Sequence, residues 1–246
     1  MLGIVAGLNL YPVQSLRGQA LDAAEFVATG FTNGLAGDRA FAIADLEAGI
    51  IAHSSRGNRK WRCLITWSAR YIDAPKAGRD LPPVEIAFPD GSRVSSDDPK
   101  VDAALSDQGG HRFALVRNGS GGFPPVFTPD PCHILTSATL STLMDACSEG
   151  NFAPERFRPN LFIDTGPTKG FVEQAWLGRE LAIGGARLLV NDACKRCALV
   201  TRAQGDLPDD KNILRTVTGL NNAIAGVYAR IAKPGRIALG DEVSWG

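Results

Sequence analysis

The sequence predicts a mostly β protein with some helices. Two observations carry this. Short apolar runs of strand length recur along the chain, whereas apolar residues at helical spacing occur in only a few places. A Gly- and Pro-rich stretch also interrupts the chain near its middle and divides it into two parts of similar length.

In the first part, Gly3 to Leu10, Phe41-Ala42-Ile43-Ala44, Cys63-Leu64-Ile65-Thr66-Trp67 and Val84-Glu85-Ile86-Ala87-Phe88 read as strands, the last followed by the turn signal Pro89-Asp90-Gly91. Asp98 to Leu105 reads as a short helix, with Val101 and Leu105 on one face, and His111 to Val116 as a further strand. Asn118 to Pro131 holds three Gly and four Pro and is the predicted linker. The expected domains are therefore residues 1–117 and 132–246, joined by 118–131.

In the second part, Leu140, Leu143, Met144 and Cys147 recur at helical spacing, with Thr136 or Ser137 as N-cap and Gly150 as the stop. Cys147 falls on the apolar face and reads as core, and His133 as a satisfied structural histidine. Leu188-Leu189-Val190 and Ala198-Leu199-Val200-Thr201 read as two strands joined by a turn. A helix from about Asp210 to Asn221 follows, with Ile213, Leu214, Val217 and Leu220 facing inward. The last strands fall near Gly226 to Ala232 and Gly235 to Val243.

Composition narrows the function. The 26 basic and 26 acidic side chains cancel, so no overall field favours nucleic acid or an anionic membrane. An anion must be held by a local cluster. Five cysteines without regular spacing fit a reducing compartment better than a disulfide framework, so a cytoplasmic protein is expected. Neither a signal peptide nor an apolar run of about 20 residues is present, so no membrane association is expected.

The stretch richest in chemistry is Asn191-Asp192-Ala193-Cys194-Lys195-Arg196-Cys197-Ala198-Leu199-Val200-Thr201. A thiol beside Lys195 and Arg196 sits in positive potential, which enriches the thiolate that attacks electrophiles or binds metals. A thioredoxin-like pair would need a helix after the first cysteine, and a structural zinc site would need two more paired ligands. On these residues alone, a reactive site and an inert pair of buried thiols both remain open.

Three further segments accompany the cysteines: Glu155-Arg156-Phe157-Arg158-Pro159-Asn160-Leu161-Phe162-Ile163-Asp164, Gly178-Arg179-Glu180-Leu181-Ala182-Ile183-Gly184, and Gly226-Val227-Tyr228-Ala229-Arg230 with Pro234-Gly235-Arg236-Ile237. Together with the cysteine stretch they resemble the MOSC domain, the C-terminal module of molybdenum cofactor sulfurases. Tyr11-Pro12-Val13-Gln14-Ser15-Leu16-Arg17-Gly18 and Gly34-Leu35-Ala36-Gly37-Asp38-Arg39 resemble the N-terminal MOSC-associated domain, within the amidoxime-reducing group. The resemblance runs from about Leu10 to Val243. It implies a MOSC β-barrel plus a smaller N-terminal β domain, whose opening strands can join the barrel.

The resemblance also implies a molybdenum cofactor (Mo-molybdopterin). Cys197 matches the cysteine that ligates molybdenum in the family, which makes it the expected metal ligand and catalytic residue. Ser15 and Arg39 match donors to the cofactor's phosphate. Gln14 stands where the family commonly has Lys, so this chain offers an amide donor there in place of a charge. Thr136 and Ser137 correspond to a hydroxyl-bearing turn at the pterin. Arg158 and Asn160 match residues that hold pterin and phosphate, and Lys195 and Arg196 are placed to reach phosphate or the metal's oxygens.

The function so implied is reduction of N-hydroxylated or N-oxide small molecules, with electrons from separate flavin and iron–sulfur or haem proteins. An alternative is a sulfur or cofactor carrier in which Cys197 holds a persulfide or delivers the cofactor.

Overall fold

Seven strands close into a barrel in the computed structural model, which describes residues 1–28, 34–54, 59–118, 122–123 and 130–246. Around the barrel the order is Leu161–Asp164, Cys132–Thr136, Ile224–Lys233, Ala186–Lys195, Glu180–Ile183, Glu242–Trp245 and Gly3–Leu10, which pairs again with Leu161–Asp164. Closure leaves the barrel without an open edge. Neighbours are antiparallel except Cys132–Thr136 with Leu161–Asp164. That parallel pair needs a crossover, and the helices Ser137–Ala146 and Pro154–Phe157 lie within it.

The opening strand is therefore part of the barrel formed by the second half. Its inward set shifts once: Gly3 and Val5 are buried, a bulge falls between Val5 and Gly7, and Leu8 and Leu10 are buried beyond it. A small three-stranded sheet also joins the halves, because Ala23–Val27 lies between Gly34–Leu35 and Gly235–Ala238. One apolar core accordingly runs from Val5, Leu8 and Leu10 through Trp67 and Phe113 to Ile183, Val227 and Val243. The predicted linker 118–131 lies largely outside the described residues.

Two further three-stranded sheets belong to the first half. Phe41–Asp45 lies between Phe113–Arg117 and Ile50–Ile51, and Val84–Ala87 lies between Ser68–Tyr71 and Arg93–Ser95. The helix read at Asp98 to Leu105 forms as Val101–Gly109 and buries Leu105. The expected strand at Cys63 to Trp67 is instead a 3₁₀ segment, Arg59–Thr66, that buries Trp61, Leu64 and Ile65. Its apolar run suits either form, and packing on the helix Val101–Gly109 decides.

A second apolar cluster lies beneath the helices of the second half. Leu140 and Leu143 from Ser137–Ala146, and Ile213 and Val217 from Asn212–Asn221, pack with Phe152, Phe157 and Val200. Met144 and Leu220, expected inside, are exposed. Ala198–Thr201, expected as a strand, is a 3₁₀ turn. The preceding strand Ala186–Lys195 instead runs on through Cys194, so only Arg196 and Cys197 make the corner.

Candidate functional site

The corner opens into a cleft with room for about 120 Å³, lined by Gln14, Ser15, Arg39, Arg158, Lys195, Arg196 and Cys197, together with His53, Ser54, His133, Phe157, Leu199 and Tyr228. Seven of the ten expected site residues thus meet in one place, from four separate parts of the chain.

The loop after the opening strand supplies Gln14 and Ser15. It is laced to the segment that carries Arg39: Arg39 N–H donates to the Tyr11 carbonyl at 2.7 Å, Phe41 N–H to Pro12 at 3.0 Å, and Gln14 N–H to Phe41 at 2.8 Å. Arg39 also pairs with Asp38 at 2.6 Å and donates to the Pro131 carbonyl. The pair is largely buried rather than at the surface: the Asp38 side chain is 3% exposed and that of Arg39 is 14% exposed. Burial raises the Asp38 pKa, and the Arg39 charge opposes that rise.

Arg158 ends the short helix Pro154–Phe157 and lies over the Tyr11 ring, 4.2 Å from its centroid. Burial works against its charge, which is lowered in pKa but remains a guanidinium at neutral pH. Backbone strain gathers here as well. Ser15, Arg39 and Arg158 all adopt positive φ, at 73°, 52° and 55°. Left-handed backbone at a non-glycine residue costs on the order of 1 kcal/mol, and such residues cluster where function over-determines them.

Arg196 is the hub of the inner wall. Its Nη1 donates to Cys194 Sγ at 2.7 Å, its Nη2 to the Phe157 carbonyl at 2.7 Å, and its backbone N–H to the Ala223 carbonyl at 2.7 Å. Burial opposes the charge, but Cys194, Tyr228 and Cys197 more than offset it, so its pKa is raised. Cys194 is fully buried behind this hub, whereas Cys197 is half-buried and lines the cleft.

His133, read from sequence as structural, also reaches the cleft. Its Nδ1 lies 3.2 Å from the Arg158 carbonyl and its Nε2 lies 3.4 Å from Arg196 Nη1. A carbonyl only accepts and a guanidinium only donates, so the neutral ring carries its proton on Nδ1. Burial, and then the Arg196 charge, push its pKa down to about 3. Gly226, at φ 89°, makes room for the ring, since a Cβ there would lie 2.4 Å from His133 Nε2.

Three expected residues do not line this cleft. Thr136 is the N-cap: its Oγ1 accepts from Thr139 N–H at 3.2 Å and donates to buried Glu173 at 2.6 Å. Ser137 bonds Asp164 and Thr165. Asn160 accepts from His133 N–H at 3.1 Å and donates to the Asn9 carbonyl at 3.2 Å, which pins the opening strand to the barrel. Their polar groups are used within the fold. Conversely, His53, Ser54 and Tyr228 enter the cleft without any earlier assignment. Tyr228 faces it from beside His133, its partner across the strand pair, and no periodicity in the sequence marks it.

Among the described residues no three His, Cys, Asp or Glu side chains come together to hold a metal ion. A metal docked at Cys197 must therefore bring most of its own ligands. The donor set fits such a group: one soft thiol, four cationic side chains and several neutral donors around a single cleft.

Fold and site together define a barrel protein with a cysteine-centred, cation-lined cleft. Residues 128–244 match the family model of the MOSC domain, and this chain carries a MOSC domain there. MOSC domains are associated with the molybdenum cofactor. The structure is similar to that of the YuaD protein from Bacillus subtilis, at a TM-score of 0.50 and 15% identity over 99% of this chain and 94% of that one. It is also similar to YiiM from Geobacillus stearothermophilus, at a TM-score of 0.37 and 16% identity over 54% of this chain and 67% of that one. No curated protein matches the sequence. Among the described residues no helix is long and apolar enough to cross a membrane.

Proposed function

We propose that this chain holds a molybdenum–pterin cofactor through Cys197 and reduces N-hydroxylated or N-oxide compounds, taking electrons from separate flavin and iron–sulfur or haem proteins. The observation that carries the reading is the convergence of Cys197 with Ser15, Arg39, Arg158, Lys195 and Arg196 on one cleft. When bound, the cofactor would supply oxygen-atom transfer.

The residues hold, orient and shield. Cys197 offers a thiolate, a soft ligand for a metal already bound by sulfur. Arg39 and Arg158 offer planar guanidinium forks to a phosphate, and Ser15 and Gln14 add neutral donors. Lys195 and Arg196 hold positive potential around the thiolate. Neutral His133 keeps the Arg196 fork in place without adding charge. A reducing, cytoplasmic setting would keep Cys197 available as a thiol.

Metal analysis of protein from a cofactor-competent host tests this. About one molybdenum per chain is expected, abolished by Cys197→Ala and kept by Cys194→Ala. Full loading of Cys197→Ala would overturn the reading. One observation favours a second reading, a sulfur or cofactor carrier: the cleft presents uncharged Gln14 where a lysine would grip the phosphate. Persulfide on Cys197 in metal-free protein would support that carrier.

A further inference from the structure

The corner that carries Cys197 runs directly into a shallow surface groove. The 3₁₀ turn Ala198–Thr201 and the helix Asn212–Asn221 frame it, with Ala198 and Thr201 on one side and Lys211, Leu214, Arg215 and Thr218 on the other. Positions 211, 214, 215 and 218 recur at helical spacing, so they form a second face of the helix, distinct from the buried face of Ile213 and Val217. Ala198 follows Cys197, which puts their Cα atoms about 3.8 Å apart. Groove and cleft are therefore neighbours.

The groove is positive. No Asp or Glu lines it, and the helix Asn212–Asn221 contains none. Lys211 and Arg215 are exposed and make no ion pair among the described residues. Exposed Lys195, two positions before Cys197, carries the positive charge on to the cleft. The acids that precede Lys211 are committed inside the fold. Asp209 accepts from Ala203 N–H at 3.0 Å, Asp210 accepts from Asn212 N–H at 2.9 Å and Asn151 N–H at 3.0 Å, and the charges of both offset the burial of Arg156.

Gly219 completes the groove. It has ordinary helical backbone, and a Cβ there would meet nothing within 4 Å, so neither conformation nor internal packing requires glycine. Glycine is the poorest helix former after proline. What its bareness provides is open backbone to a body outside the chain.

We propose that this groove is the docking surface for an acidic iron–sulfur electron carrier. The unpaired cations select a partner of opposite charge, and Leu214 and Ala198 supply apolar contact between them. Electron-transfer encounters bury little surface, which suits a face this small. The inference rests on the proposed function for the kind of partner, because electrons delivered here arrive beside Cys197.

Amide NMR of the isotope-labelled full chain, titrated with an oxidised acidic [2Fe–2S] ferredoxin, tests the surface. Shifts and broadening at Ala198, Thr201 and residues 211–219 are expected, saturable and weakened by added salt. Lys211→Glu with Arg215→Glu should weaken binding on the order of tenfold, and so should Gly219→Gln, which fills the groove while favouring the helix. Thermal midpoints report folding of both variants. Basic cytochrome c should move none of these signals. No saturable change with ferredoxin, changes confined elsewhere, unchanged affinity in both folded variants, or the same changes with anionic phosphatidylglycerol vesicles overturns the surface. Molybdenum content, measured separately, tests the proposed function. Binding absent with metal retained strikes the docking surface alone, and binding kept without metal strikes the cofactor reading alone.

Discussion

Arg196 donates to the Sγ of Cys194 at 2.7 Å, so the guanidinium between the two cysteines is tied to the inner thiol while Cys197 lines the cleft. Two thiols three residues apart thus have different surroundings, one sealed and one open.

That difference predicts their reactivity. Iodoacetamide applied to folded protein should label Cys197 and leave Cys194 unmodified until denaturant is added, as read by peptide mass spectrometry. Cys194 is 0% exposed. Equal labelling of both in native protein would contradict the arrangement.

Arg158→Gly should separate binding from folding. Glycine relieves the positive φ, a gain on the order of 1 kcal/mol that offsets lost packing on Tyr11. The expected result is a denaturation midpoint close to the parent's, with affinity for pyrophosphate reduced on the order of tenfold in calorimetry. A large loss of stability with affinity intact would place Arg158 in the fold rather than in the site.

His133 should remain neutral far below the usual histidine range. Its pKa of about 3 means that nitrogen NMR at pH 5 still shows the tautomer protonated on Nδ1. Because the folded value is depressed, the ring's contribution to stability is fully present above about pH 6.5 and is lost as pH falls toward 3. A ring protonated at pH 6 would mean that it is not sealed from water beside Arg196.

Asp45 predicts an acid response away from the cleft. Burial acts to raise its pKa, but Lys60 at 2.6 Å, the Ala48 N–H at 3.0 Å and the Trp61 indole at 2.8 Å hold it down at about 2. Its contribution is therefore present above about pH 4 and lost as pH falls through 2. Asp45→Ala should cost about 3 kcal/mol at pH 7 by urea denaturation, and the gap from the parent should narrow toward pH 2.

What the sequence made legible was local or carried by motifs. The Thr136 cap, the helix ahead of Gly150 and the strand Val84–Ala87 all follow from neighbours within a few residues. The resemblance brought Ser15, Arg39, Arg158 and Cys197 to one site. What it could not weigh was competition for polar groups: Asn160 is used by His133 and by Asn9, which lies 151 positions away. Ala198–Thr201 has a strand's composition, yet it turns and buries Val200 in the second apolar cluster, a long-range contact that composition does not record. His53 and Ser54 reach the cleft through the path of the chain, which no pattern of spacing records.

Gly3 pairs with Val243 and Ile4 with Glu242, so two barrel strands more than 200 residues apart in the chain lie side by side. The barrel therefore cannot close until Glu242–Trp245 has been made, and until then Gly3–Leu10 lacks one of its two barrel neighbours. Contacts of such long sequence separation form slowly and leave sticky intermediates. Expression as two separate halves should for this reason yield insoluble pieces, and holdase chaperones should raise the yield of the intact chain.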